Sequence, residues 1–112
     1  MLNQVVLVGR LVKDPELNEY DNNKKVSYVT VAIPRSFKNI DGEYETDFIN
    51  CILWDIVAKT TVEHCKKGDV IGVKGRIQSR VVETDNEKKY YTDVVAERIT
   101  FLSNRKQEET DK

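Results

Sequence analysis

Several things are scarce in this 112-residue chain: it has two cysteines, two prolines, one histidine and no apolar run of 18 residues. Without such a run, no segment reads as a membrane-spanning helix. Arg10 and Lys13 follow the first apolar stretch instead of preceding it, so no signal-peptide pattern is present. The expectation is a soluble, cytoplasmic protein with no membrane partner. Cys51, Cys65 and the single His64 make neither a disulfide framework nor a zinc-ligand set. No cofactor and no metal is therefore expected. The formal net charge is −1, so no basic excess announces a nucleic-acid partner. What is present is a globular mixture, 39% hydrophobic and 33% charged, of one-domain length.

The charges are segregated. Between Asp21 and Asp41 lie Lys24, Lys25, Arg35 and Lys38 with no anion, and from Lys66 to Arg80 five cations face Asp69 alone. Acids gather at Asp14, Glu16, Glu19 and Asp21, and again at Asp41, Glu43, Glu45 and Asp47. A neutral total can thus hide a positive face, although scattered surface charge would read the same way.

Five stretches read as strands: 5–12, 26–33, 47–54, 70–80 and 90–102, each rich in Val, Ile, Tyr or Phe. Pro34 is expected to stop the second. Ala58, Val62 and Cys65 mark one face of a helix over Val57 to Cys65, with Lys66 and Lys67 in its last turn and Gly68 as its C′ residue. Segments 13–25, 34–46 and 82–89 read as polar loops, and 103–112 as a frayed tail. Five strands with one short helix between the third and fourth predict an all-β OB-fold, a five-stranded Greek-key barrel. An SH3-like barrel is the alternative. The OB-fold domain would occupy 1–103, followed by a disordered polar tail at 104–112.

Alternation along a strand sorts the side chains. In the third strand Ile49, Cys51 and Leu53 form the core side, leaving Phe48, Asn50, Ile52 and Trp54 outward. In the fourth, Ile71, Val73, Gly75 and Ile77 point inward, against a polar row of Lys74, Arg76, Gln78 and Arg80. Aromatics beside cations suit single-stranded nucleic acid, because every base has a π-face and every phosphate a charge. Phe37, between Arg35 and Lys38, adds a third aromatic. Packing under a loop or into a subunit interface would explain the same aromatics. His64 has no nucleophile beside it, both cysteines fall on buried positions, and the acids lie in loop runs. No enzyme is expected. The acidic stretch around Gly42 reads as a hairpin tip, and the two glycines of GVKGR as tight barrel bending.

Four segments resemble one family in its own order: NQVVLVGRLVKDPEL (3–17), TDFINCILW (46–54), KKGDVIGVKGRIQSR (66–80) and YTDVVAERITFL (91–102). That family is the bacterial single-stranded DNA-binding protein, and the chain resembles its short, tailless second copy found in some Gram-positive bacteria that take up DNA. The resemblance implies a homotetramer that coats single-stranded DNA without catalysis, in replication, recombination, repair or uptake. It implies stacking roles for Phe37, Phe48 and Trp54. Its fourth stacking position is Val82 here, which leaves Tyr90 or Tyr91 to compensate. Arg10, Arg35, Lys38, Lys67, Lys74, Arg76, Arg80, Lys89 and Tyr91 complete the expected DNA-binding set. Residues 103–112 lack the acidic, aromatic-ended tip of long family members, so partners that need such a tip are not expected. An OB-fold protein-interaction adaptor of a primosome-type complex is the alternative reading.

Overall fold

The computed structural model describes residues 1–103. Six strands and one helix follow one another: β1 (Val5–Leu11), β2 (Asn18–Tyr20), β3 (Lys24–Lys38), β4 (Tyr44–Trp54), α1 (Asp55–His64), β5 (Val70–Thr84) and β6 (Glu87–Ser103). Five strands close a ring. β1 pairs with β5, β5 with β6, β6 in parallel with β4, β4 with β3, and β3 returns to β1 through Arg10↔Ala32 and Leu11↔Val31. This is the OB-fold barrel that the sequence predicts. The added strand β2, only three residues long, extends the sheet beyond β3, so the helix falls between the fourth and fifth strands.

The barrel is filled by Leu11, Val29, Val31, Cys51, Leu53, Ile71, Val73, Val94 and Ala96. Each fully buried aliphatic side chain contributes about 1.5–3 kcal/mol. α1 packs chiefly on β3 and adds Ala58 to the core. Burial pushes both thiols up to about 11, with a smaller push from Asp93 on Cys51 and from Asp69 on Cys65. At Gly75 the backbone of β6 leaves no room for a side chain on β5. A Cβ there would meet the Val95 carbonyl oxygen at 2.1 Å, and the ladder shifts register between Lys74 and Gly75.

Several sequence expectations are corrected. Pro34 does not end its strand, because β3 runs on to Lys38 through an irregularity between Pro34 and Lys38 where a missing N–H is tolerated. Segments 34–46 and 82–89 are not loops but the outer parts of two long hairpins. The β3–β4 arm turns at Asn39–Glu43, with Gly42 at φ 78, and the β5–β6 arm turns at Asp85 and Asn86. Ile77 is not core, since it lies where β5 has left the barrel wall and every residue from 76 to 92 is exposed. The helix begins two residues earlier than expected and ends at His64, with Cys65 extended. Thr61 takes the buried position expected of Val62, which is only half-buried. Lys66 and Lys67 lie beyond the helix, and Gly68, at φ 92, sits in the turn closed by Asp69 N–H donating to Lys66 O at 3.0 Å. The expected tail lies outside the described residues. Among those residues, no helix is long and apolar enough to cross a membrane.

Candidate nucleic-acid interface

The outward side of β4 is the natural centre of the site. Cys51 and Leu53 point into the core, which forces Phe48, Asn50, Ile52 and Trp54 outward. Phe48 is 64% exposed. Trp54 is half-buried, with the ring of Tyr20 edge-on at 5.8 Å. β4 then bends into α1 at Asp55, in the left-handed region at φ 50, whose carboxylate accepts the Lys25 backbone N–H at 3.2 Å. At about 3.3 Å per residue, Phe48 and Trp54 stand roughly 20 Å apart along one strand.

Register carries this face across the barrel. Tyr28 of β3 opposes Ile52, Val95 of β6 lies on the other side of Ile52, and Arg76 of β5 opposes Val95. Tyr28, Ile52 and Arg76 thereby share one side of the sheet, with Val95 buried between the last two. Tyr28, 61% exposed, is a functional candidate that strand alternation applied to VSYVTVAI would have revealed. Lys13, Tyr28, Thr30, Asn50, Ile52, Arg80 and Asp93 line a cleft of about 570 Å³ on this face. Lys13 in the cleft, Tyr20 against Trp54 and Tyr44 at the start of β4 were not singled out from the sequence, because segments 13–25 and 34–46 read as loops.

Register separates the two tyrosines of the β5–β6 arm. Arg80 opposes Tyr91 and Val82 opposes Lys89, so these four share one side of the hairpin. Tyr90 opposes Val81 on the other side. The Arg80 guanidinium lies 4.6 Å from the Tyr91 ring centroid, while its Nε donates to the buried Asp93 carboxylate at 2.7 Å. Tyr91 therefore stands on the side of Val82.

The expected cations differ in their freedom. Arg35 is clasped by acids of its own arm: Nη2 reaches Asp47 at 2.9 Å and Nη1 reaches Glu45 at 3.1 Å. Its guanidinium holds the Asp47 carboxyl below the usual carboxylate range, chiefly by hydrogen bonding. Arg76 lies 3.9 Å from Glu97, and its Nη1 donates to Gln78 at 2.8 Å. The Arg10 Nη1 donates to the Gly68 carbonyl at 2.8 Å. Among the described residues Lys38, Lys67, Lys74 and Lys89 have no carboxylate partner for their ammonium groups. Lys38 sits over the Tyr44 ring at 5.7 Å, beside exposed Phe37. Lys74 is set apart, between Val6 of β1 and Arg98 of β6. His64 is remote from the cleft and stacks on Phe101 at 5.4 Å.

Residues 2–102 match the profile described as the single-strand binding protein family. The chain is 47% identical over 103 residues to the single-stranded DNA-binding protein B of Bacillus subtilis (strain 168), covering 91% of each. It is 46% identical to the single-stranded DNA-binding protein 1 of Lactococcus lactis, covering 95% of this chain and 71% of that one. The Bacillus cereus single-stranded DNA-binding protein is 45% identical, and there the chain spans 62% of the relative's length.

Proposed function

Since the chain belongs to the single-strand binding protein family, we propose that it binds single-stranded DNA without strong sequence preference and without catalysis. Its task in the cytoplasm would be to coat and protect exposed strands during replication, recombination, repair or uptake. The observation that carries this reading is the outward row of β4, where Phe48, Ile52 and Trp54 flank Asn50 beside Tyr28 and Arg80. Bases stack on the rings, and the lysines without carboxylate partners follow the phosphates. Tyr91, on the same side as Val82, supplies the ring that position 82 lacks. The test is titration with oligo(dT). Quenching of Trp54 and weakening with salt are expected, with a slope of roughly −0.7 per phosphate contacted. Tryptophan emission unchanged at saturating DNA would remove the stacking role.

Assembly as a homotetramer belongs to the same proposal. Val6 and Val8 stand bare on the outward side of β1, and Leu102 lies over Gly72 beside them. An apolar strip on a small domain favours self-association through matching copies of one surface. Sedimentation equilibrium should give four chains, and a monomer at micromolar concentration would refute this.

A further inference from the structure

An acid is out of place on a face that meets a polyanion, yet Asp93 stands on the side of the β5–β6 arm that carries Arg80 and Lys89. Register puts Gln78 opposite Asp93 and Arg80 opposite Tyr91, so Asp93, Arg80 and Tyr91 share that side. Asp93 is also the last residue before Val94, where β6 joins β4 in the barrel wall. It is 6% exposed, too deep to serve as a contact for the strand itself. A carboxylate buried without a partner would be strongly destabilising. Its partner is Arg80, whose Nε donates to Asp93 Oδ2 at 2.7 Å.

The way each arginine is held decides what it can still do. Arg35 commits both Nη atoms to acids of its own arm, and Arg76 commits Nη1 to Gln78. Arg80 is held by Nε alone, and the four hydrogens on Nη1 and Nη2 have no protein partner among the described residues. The Tyr91 ring, with its centroid 4.6 Å from the guanidinium carbon, covers one side of the group. What stays free is the edge between Nη1 and Nη2, the fork that matches two oxygens of a phosphate. Arg80 and Asp93 both line the cleft beside β4. Resting on the single-strand reading above, we infer that Asp93 is a positioning residue for DNA binding, which ties the Arg80 guanidinium to the barrel wall with its fork open to a phosphate. The side chain is ordered when the protein folds, so DNA need not order it on binding. Asp93 thereby aids the capture of an anion although its own charge repels one.

The experiment is a double-mutant cycle read by fluorescence anisotropy of end-labelled oligo(dT) at one salt concentration. In the native background Asp93→Ala should weaken binding about fivefold, the scale of one long side chain set loose. Asp93→Asn, which keeps an acceptor for Nε without the charge, should weaken it about twofold. In an Arg80→Ala background the sign should reverse. There Asp93→Ala should tighten binding or leave it unchanged, because only a repelling charge is removed. Circular dichroism identifies the folded variants. If Arg80→Ala, left with an unpaired buried carboxylate, does not fold, Arg80→Gln takes its place, since its amide can still donate to Asp93. If Asp93→Ala does not fold, Asp93→Asn is compared in the two backgrounds instead. Equal losses in both backgrounds would mean that Asp93 only supports the fold, and tighter binding in both that it is only a repelling charge. Either result, or unchanged binding in the native background, overturns the inference and leaves the single-strand reading standing. Failure of the folded native protein to bind oligo(dT) overturns both.

Discussion

The barrel wall and the two hairpin arms are cut from the same strands yet held by different forces. In the wall, each of β3, β4, β5 and β6 has neighbours on both edges and a core behind it, so Cys51, Leu53, Ile71 and Val73 are all but sealed. In the β5–β6 arm nothing from 76 to 92 is buried, and beyond the Arg80 pair with Asp93 at its base what holds it is a ladder of hydrogen bonds with a few exposed ion pairs. Exposed pairs of this kind contribute little. Regions held in this way open at low free energy. Rigid aromatics on the wall and adaptable ones on the arms are a sound division of labour for following a flexible strand.

Gly75→Val should break the contrast from the wall side. Its side chain would start from a Cβ 2.1 Å from the Val95 carbonyl oxygen, and urea denaturation should show a loss of about 3 kcal/mol or more. Gly72→Ala, whose Cβ meets nothing nearer than 3.6 Å, should change stability by less than about 1 kcal/mol. Equal losses at the two sites would show that wall register is not set by close approach.

Next in size, Trp54→Ala and Phe48→Ala should each weaken oligo(dT) binding by about 1–3 kcal/mol while the salt slope stays nearly constant. On the arm, Tyr91→Ala should cost about 1 kcal/mol of DNA binding and Tyr90→Ala much less. Equilibrium titrations of the pair would reverse the assignment if Tyr90 proved the more costly.

The smallest effect concerns the clasp on Arg35. Replacing both acids, Glu45→Gln with Asp47→Asn, should release the guanidinium to a phosphate and steepen the salt slope by about 0.7. An unchanged slope would show that Arg35 contacts no phosphate. Acid should not substitute for the mutations near neutrality. A carboxyl with a lowered folded pKa keeps its ion pair above the ordinary carboxylate range, and loses it only as pH falls through its own lower value. Between about pH 5 and 8 the Asp47 contact of the clasp stays closed.

How much of this was legible in the sequence follows from the same contrast. Half-buried strands announce themselves by alternation, so the ring of five strands and the outward set on β4 could be read from residue types alone. The arms could not. IDGEYETD and ETDNEKK are wetted on both sides, so no apolar period survives in them, and their Asn, Asp and Gly suggest loops. Which of Tyr90 and Tyr91 faces Val82 depends on hairpin register, which is fixed by a turn at Asp85 and Asn86 that composition does not locate. The state of Arg35 was hidden too, because a cation ten residues from an acid gives no sign of pairing until the hairpin folds.

The parallel contact of β4 with β6 also bears on how the protein comes into being. Cys51, Ile52 and Leu53 meet Val94, Val95 and Ala96, partners more than forty positions away along the chain, and the ring has no other closure at that seam. During synthesis every earlier strand must wait, its inner side bare, until residues 94–96 have left the ribosome. Contacts so distant in sequence slow folding and prolong exposure of unpaired strands. The interval before residues 94–96 emerge is therefore when the nascent chain is most open to misassembly.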